Sequence, residues 1–179
     1  MMKEIIMITG ASSGMGREFA MQIEKKYQVD EIWVIARRKE RLESLKERLQ
    51  TKVRIFALDL TQKESFEIIQ EALFQEKPRV KALINCSGYG KLDHYENMSL
   101  ETIENMMNLN MLAVVKMVNS VLPYMHKKSS IVNLASCSGY MPIPYLNIYA
   151  STKAFVLSYS RALNEELKYR QIHVLAIIG

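Results

Sequence analysis

Three side chains in the C-terminal third of the chain have the types and spacing needed to move a proton. Tyr149 and Lys153 are four residues apart at the predicted start of a helix, so they lie on one helix face, a single turn apart. A free phenol loses its proton only near pH 10, and an ammonium close by favours the phenolate form. Ser136 follows a predicted strand, where its hydroxyl could bind a substrate oxygen. An exposed surface pair and a serine that caps a turn are the alternatives.

The segment TGASSGMG holds three of the chain's seven glycines, Gly10, Gly14 and Gly16, directly after an apolar run. A tight turn from a strand into a helix needs backbone angles that glycine adopts at little cost. The absent side chains also let a diphosphate approach the backbone, where the helix N-terminus offers free N–H groups and a positive dipole. A tight turn without a ligand is the alternative.

The end of the second predicted strand indicates which dinucleotide would bind. Sites for NAD usually carry an acidic residue about 20 residues after the glycines, where it holds the ribose hydroxyls. Here Ala36 occupies that position, and Arg37 and Arg38 follow it. Because an acid would repel a 2′-phosphate and a guanidinium would pair with it, the sequence favours NADP(H) over NAD(H). Two arginines that merely open a charged helix are the alternative.

Apolar runs alternate with helical patterns along the chain, and these elements must position the candidate residues. The runs are continuous, as is typical of parallel strands covered on both faces. The sequence predicts an α/β fold, a doubly wound, Rossmann-like parallel sheet with six strands and helices on both faces, in one domain over residues 1–179. Strands are predicted at 5–9, 32–36, 53–58, 82–85, 130–135 and 173–178, and helices at 15–26, 40–50, 62–74, 100–125 and 149–169.

Composition and charge argue against several other classes of protein. The net charge of +5 arises between Lys25 and Arg54, where ten basic residues face five acidic ones at helical spacing. Such a run is typical of a solvated helix, so no nucleic-acid partner is expected. No apolar run approaches the roughly 20 residues of a membrane span and no leader opens the chain, so we expect a cytoplasmic protein. Cys86 and Cys137 lack metal-binding spacing; we expect buried thiols and no metal site.

In their order and spacing, the motifs resemble the short-chain dehydrogenase/reductase family of the single-domain type. The resemblance covers essentially the whole chain and rests on TGASSGMG, ARR, LDLT, LINCSG, NLNMLA, VNLAS and YASTK. It implies an NADP-dependent oxidoreductase that transfers a hydride between nicotinamide and a small-molecule carbonyl or secondary alcohol. It also implies a homodimer or homotetramer, formed through the long helix and the helix that carries Tyr149.

The resemblance implies a role for each site residue. Tyr149 would exchange a proton with the substrate oxygen, Lys153 would favour the phenolate and hold the nicotinamide ribose, and Ser136 would orient the carbonyl. Asn110 would fix a water that links Lys153 to solvent, whereas an asparagine at a helix kink is the alternative. Asp59 would bond the adenine edge. The expected cofactor-binding residues are Gly10, Ser12, Ser13, Gly14, Met15, Gly16, Arg37, Arg38, Asp59, Leu60, Asn85, Cys86, Ser87, Gly88, Tyr149 and Lys153.

Two features depart from the family pattern. Cys86 and Ser87 stand where the family has asparagine and alanine, and both are small enough to keep the backbone path. The sequence ends at HVLAIIG, where relatives continue with a Pro-Gly turn, a substrate-covering segment and a last strand, so we expect an exposed sheet edge. A catalytically impaired nucleotide-binding scaffold or sensor is therefore the second hypothesis, and NADPH binding without turnover would distinguish it.

Overall fold

The continuous apolar runs become the strands of one parallel sheet in the computed structural model, which describes residues 2–178. The sheet has six strands in the order β3-β2-β1-β4-β5-β6, which confirms the predicted fold class. The strands are β1 (Glu4–Thr9), β2 (Glu31–Ala36), β3 (Val53–Ala57), β4 (Arg79–Asn85), β5 (Met125–Leu134) and β6 (His173–Ile177).

Six α-helices alternate with the strands over the described residues: α1 (Gly14–Lys26), α2 (Lys39–Lys46), α3 (Lys63–Glu76), α4 (Leu100–Met107), α5 (Ala113–Val121) and α6 (Asn147–Leu167). The helix predicted over residues 100–125 is divided, because a π-helical turn (Asn108–Leu112) separates α4 from α5. Pro123 lies in a short 3-10 turn (Leu122–Tyr124) after α5, where its missing N–H costs little. Further 3-10 turns lie at Tyr95–Asn97, Cys137–Tyr140 and Lys168–Arg170.

The core lies on both faces of the sheet, because successive strand residues point to opposite sides. Ile5 and Met7 of β1 contribute to one apolar cluster, and Ile6 and Ile8 contribute to the other. Helices α3 and α5 pack on the first face, and α1 and α2 pack on the second. Every residue of β2 is buried. The covered faces explain why the strands lack an alternation of apolar and polar residues.

The strand order changes direction between β1 and β4, which are adjacent in the sheet although β2 and β3 separate them in the chain. Ligands of open α/β sheets bind at such a switch point, beyond the carboxyl ends of the strands. Thr9, Asn85 and Asn133 pair in register across β1, β4 and β5 at this edge. The Asn85 side chain donates to Asn133 Oδ1 at 2.9 Å, and the Asn133 side chain donates to Ser160 Oγ of α6 at 2.9 Å. This buried polar chain fixes α6 against the two strands.

The opposite, amino edge of the sheet carries an ionic network around Glu31, which is 2% exposed. The Glu31 carboxylate accepts a hydrogen bond from Trp33 Nε1 at 2.7 Å and pairs with Lys3 and Lys52. Burial by itself would raise the pKa of Glu31, but the bonds from Lys3, Trp33 and Lys52 outweigh it and the pKa is lowered. Arg54 stacks on the Trp33 ring at 4.7 Å and pairs with Glu76.

Three local expectations differ from the structure. Strand β5 begins at Met125 rather than at residue 130, because Met125 pairs with Val80 of β4. Helix α2 ends at Lys46 rather than at residue 50, because the N–H groups of Arg48 and Leu49 bond carbonyls three residues back, those of Leu45 and Lys46. The expected burial of Cys137 is wrong, because this residue lies in an exposed 3-10 turn, whereas Cys86 is partly buried. Within residues 2–178, no helix has both the length and the apolar character needed to cross a bilayer.

Candidate active site

The glycine-rich turn brings the ends of β1 and β4 into direct contact. Gly10 has a φ of +68°, and a Cβ atom there would lie 2.7 Å from the backbone carbon of Cys86. The hydroxyl of Thr9, the residue before it, accepts hydrogen bonds from the N–H groups of Cys86 and Ser87, each at 3.1 Å. Only glycine fits this close approach with a positive φ. Sequence reasoning missed Thr9, although a hydroxyl at the end of a strand beside Gly10 was an available signal.

Gly14 opens the first turn of α1 toward unfilled space. Its φ is +54°, and no described protein atom lies within 4 Å of the position that a Cβ would occupy. The residue before it, Ser13, makes no side-chain capping bond to the helix. Ser12, Ser13, Met15 and Gly16, around this first turn, line the cavity described below, and the free N–H groups of a helix start suit the diphosphate of a dinucleotide.

Arg38 joins the end of β2 to the glycine-rich turn. Its Nη2 atom donates to Ser12 Oγ at 3.0 Å and to Ser13 Oγ at 2.8 Å, and no carboxylate within residues 2–178 forms an ion pair with it. Arg37 differs, because its Nη1 atom lies 3.8 Å from Asp59 Oδ2. A guanidinium beside two hydroxyls, without an acid, can bind a phosphate group.

Asp59 is already engaged on one of its two carboxylate oxygens. Asp59 Oδ1 accepts hydrogen bonds from the N–H and the hydroxyl of Thr61, at 2.9 and 2.8 Å. Its second oxygen, Oδ2, faces Arg37. These bonds orient the carboxylate beside Leu60, in the cavity described below.

Lys153 is the buried cation of the site, only 4% exposed. Its Nζ donates to the carbonyl oxygen of Leu134 at 2.7 Å, at the end of β5. The same nitrogen lies 5.6 Å from the centre of the Tyr149 ring, so helix α6 presents both side chains on one face as predicted. Burial lowers the pKa of Lys153 to about 8. Burial also raises the pKa of the nearby Cys86 thiol to about 12, so this thiol is protonated at neutral pH.

Asn110 lies in the π-helical turn and is 1% exposed. Its Oδ1 accepts from the Tyr89 N–H at 3.1 Å, and its Nδ2 donates to the Tyr89 carbonyl at 2.9 Å and to Thr152 Oγ1 at 3.1 Å. Gly90, which follows Tyr89 in the chain, lies against the Tyr149 ring, since a Cβ there would be 2.9 Å from ring atoms. The Asn110 amide therefore holds the loop that lies against the phenol ring.

Ser136 lies beyond the end of β5 and is 7% exposed. Its Oγ accepts a hydrogen bond from the N–H of Ser138 at 3.3 Å, which is the turn-capping arrangement considered from the sequence. A hydroxyl that accepts one bond still has a hydrogen to donate, so this contact leaves it able to bind a substrate oxygen.

A cavity of about 310 Å³ collects most of the predicted residues, from the glycine-rich turn to the Tyr149 ring. Gly14, Asn85, Asn110 and Ser136 do not line it. Residues that sequence reasoning did not place in the cofactor site also line the cavity, namely Ala36, Leu58, Tyr89, Leu109 and Leu134. The predicted residues that line it are Gly10, Ser12, Ser13, Met15, Gly16, Arg37, Arg38, Asp59, Leu60, Cys86, Ser87, Gly88, Tyr149 and Lys153.

Comparison with known proteins finds extensive similarity. A sequence profile described as short chain dehydrogenase matches residues 4–179. A 3-ketodihydrosphingosine reductase from Bacteroides thetaiotaomicron is 34% identical over 99% of this chain and 63% of its own length. A very-long-chain 3-oxoacyl-CoA reductase from Mus musculus is 31% identical over 98% of this chain and 58% of its own length. The solved structure of a short-chain dehydrogenase from Sphingobium yanoikuyae in complex with NADPH has a TM-score of 0.87 at 30% identity, over 98% of this chain and 70% of that one.

Proposed function

This chain belongs to the short-chain dehydrogenase family, and from that premise we propose that it acts as an NADP(H)-dependent oxidoreductase on a carbonyl or secondary alcohol. One observation carries the proposal: the glycine-rich turn, Arg38, Tyr149 and Lys153 line a single cavity at the carboxyl edge of the sheet. The chain spans 63% and 58% of the two curated relatives described above, so its activity and its substrates are proposals.

The preference for NADP(H) rests on the residues at the end of β2. Ala36 presents no acid that would repel a 2′-phosphate, and Arg38 is held beside the hydroxyls of Ser12 and Ser13. These three polar side chains would bind the 2′-phosphate, and the first turn of α1 would bind the diphosphate. A related dehydrogenase that was solved with NADPH supports the same assignment.

A bound nicotinamide supplies the hydride in reduction of a carbonyl and accepts it in oxidation of an alcohol. The protein supplies and accepts the proton. In reduction the Tyr149 hydroxyl donates its proton to the substrate oxygen, and in oxidation the Tyr149 phenolate accepts a proton from the substrate hydroxyl. The Lys153 ammonium stabilises the phenolate by its charge, and it is oriented by the Leu134 carbonyl. The Ser136 hydroxyl donates a hydrogen bond to the same substrate oxygen and fixes its direction.

The substrate assignment draws on the names of the relatives. One is a 3-ketodihydrosphingosine reductase and another a very-long-chain 3-oxoacyl-CoA reductase. Both names describe reduction of a carbonyl at position 3, so 3-keto compounds are the first substrates to test. Tyr140 and Tyr145, both about half exposed on the loop before α6, are available to contact a bulky substrate.

We also propose a homodimer or homotetramer, formed, as the family resemblance implies, through α6 and the helical stretch over residues 100–121. Leu100, Met107 and Leu112 are exposed on α4 and the following turn, and exposed apolar side chains grouped on one element mark contact surfaces. The cytoplasmic location stays a prediction from the sequence.

The decisive experiment is a fluorescence titration of the full-length protein with NADPH and with NADH, followed by a panel of carbonyl substrates that includes 3-keto compounds. We expect tighter binding of NADPH and oxidation of NADPH by at least one carbonyl. Binding without any turnover would favour the nucleotide-binding scaffold or sensor, and the absence of NADPH binding would contradict both hypotheses.

A further inference from the structure

The buried hydroxyl of Thr152 links the Asn110 amide to α6, the helix that carries Tyr149. Thr152 is 1% exposed and lies one residue before Lys153. Its Oγ1 donates to the backbone carbonyl of Tyr149 at 2.7 Å and accepts a hydrogen bond from Asn110 Nδ2 at 3.1 Å. The hydroxyl therefore joins the first turns of α6 to the π-helical turn.

The Asn110 amide has no spare hydrogen-bonding group on its nitrogen. One of its two N–H groups bonds the Tyr89 carbonyl and the other bonds Thr152, while the amide oxygen accepts from the Tyr89 N–H. A buried N–H that loses its partner costs free energy, so loss of the Thr152 hydroxyl would leave the amide free to reorient. Reorientation would release one or both backbone bonds to Tyr89.

The Tyr89 backbone lies between two glycines, Gly88 and Gly90, that closely approach the side chains of the candidate site. A Cβ at Gly88 would lie 3.0 Å from Asn110 Oδ1 and 3.5 Å from Lys153 Nζ. A Cβ at Gly90 would lie 2.9 Å from the Tyr149 ring. The three-residue segment 88–90 thus lies against the side chains of both Tyr149 and Lys153. The Asn110 amide holds the middle residue of this segment. The Tyr89 side chain is fixed separately, because its hydroxyl donates to Asn105 Oδ1 at 3.2 Å.

We propose that Thr152 is a positioning residue: through Asn110 it holds segment 88–90 against the Tyr149 ring, and through the Tyr149 carbonyl it holds the backbone that carries that ring. The inference rests on the proposed function, since the position of the ring matters only if the phenol transfers a proton. Thr152 is buried and does not line the cavity, so we expect its main effect to be on the rate of the chemical step.

Helix α6 contains a matched control. Ser160 is also 1% exposed, its hydroxyl donates to the backbone carbonyl of Val156 at 2.7 Å, and it accepts from the amide of Asn133 at 2.9 Å. Ser160 thus makes the same pair of bonds as Thr152, two turns farther along the helix and away from the phenol. A merely structural role of such a hydroxyl would produce the same effect at both positions.

The experiment compares Thr152→Val, Thr152→Ser and Ser160→Ala with the wild type in the full-length protein. We expect Thr152→Val to lower kcat by about 10- to 100-fold, because small misplacement of a reacting group has this effect. NADPH affinity should fall by a smaller factor, since Gly88 and Tyr89 of the displaced segment also line the cavity. Thr152→Ser, which keeps the hydroxyl, should restore most of the rate, and Ser160→Ala should keep a rate close to that of the wild type. If Thr152→Val does not fold, Thr152→Ala takes its place.

Hydrogen exchange of the peptide that contains Tyr89 gives a readout independent of turnover. Thr152→Val should speed exchange of the Tyr89 amide, and Ser160→Ala should leave it unchanged. Unchanged exchange in Thr152→Val, or a kcat equal to that of Ser160→Ala, overturns the proposal. Should the wild type turn over no carbonyl, the proposed function fails, and the exchange measurement alone decides whether Thr152 holds the segment.

Discussion

The side-chain nitrogen of Lys153 lies 5.6 Å from the centre of the Tyr149 ring and 2.7 Å from the carbonyl oxygen of Leu134. This buried position lowers the pKa of Lys153 to about 8. The charge that stabilises a phenolate is therefore lost a little above neutral pH in the free protein, so the state of Lys153 can be followed by stability measurements.

Replacing Lys153 by methionine should change the pH dependence of folding stability. Between about pH 8 and pH 10.5, Lys153 is neutral in the folded protein but protonated in the unfolded chain. Since the unfolded chain binds more protons there, the free energy of unfolding of the wild type should rise across this window relative to Lys153→Met, by about 3 kcal/mol. Urea denaturation of both proteins at a series of pH values measures the difference, and parallel pH curves would contradict the assigned pKa.

Replacing Tyr149 by phenylalanine should abolish proton transfer and leave the cofactor site intact. General acid catalysis by a positioned side chain contributes about 10²- to 10⁴-fold, so kcat should fall by that factor while the Kd for NADPH stays nearly constant. Tyr159→Phe is the control, because Tyr159 lies on the same helix but stacks on Phe155. A kcat in Tyr149→Phe close to that of the wild type would mean that another group supplies the proton.

Replacing Arg38 by alanine should weaken NADPH binding much more than NADH binding. Hydrogen bonds to charged groups are worth about 1.5–3 kcal/mol, so the Kd for NADPH should rise by about 10- to 150-fold. The control is Arg41→Ala, since the Arg41 side chain is exposed on α2. Fluorescence titrations with both cofactors give the ratio of Kd values. An equal loss for NADH would show that Arg38 supports the turn rather than the 2′-phosphate.

A side chain at position 90 should displace the Tyr149 ring. A Cβ there would lie 2.9 Å from two ring atoms, so Gly90→Ala forces the ring or the loop to move. We expect a loss of kcat of about 10- to 100-fold with NADPH affinity nearly unchanged. Gly14→Ala provides a contrast. Its Cβ would meet open space, but alanine disfavours the positive φ of this residue, so we expect the loss to appear in cofactor binding. Wild-type turnover in Gly90→Ala would show that the ring tolerates displacement.

The two cysteines should differ in reactivity toward iodoacetamide. Burial raises the pKa of Cys86 to about 12, which leaves almost no thiolate at neutral pH, whereas Cys137 is exposed. We expect one fast-reacting thiol in the native protein and none in Cys137→Ser. Mass spectrometry of the labelled peptides measures this, and fast labelling of Cys86 would mean that the cavity opens more readily than its structure indicates.

The class of the sheet, the glycine-rich turn and Arg38 could be predicted from local patterns, whereas other cavity residues, such as Asp59 and Gly88, were predicted only from the family resemblance. Continuous apolar runs mark buried parallel strands, and a glycine-rich turn after β1 marks a diphosphate site. Arg38 could be predicted to lie near the turn because both follow strand ends at the same edge. The roles assigned to these residues stay predictions until the variants are measured.

Features that depend on long-range contacts could not be predicted. A helix kink at Asn110 was one interpretation of the sequence, but the π-helical turn at Asn108–Leu112 coincides with two bonds to the distant Tyr89 backbone, which no local pattern indicates. The early start of β5 depends on pairing between Met125 and Val80, and the exposure of Cys137 depends on how the turn after β5 packs. Such details are set by tertiary structure rather than by periodicity.

The Glu31 network lies at the amino edge of the sheet, the full length of a strand away from Tyr149. We therefore expect substitutions around Glu31 to change folding stability and to leave proton transfer at Tyr149 unaffected.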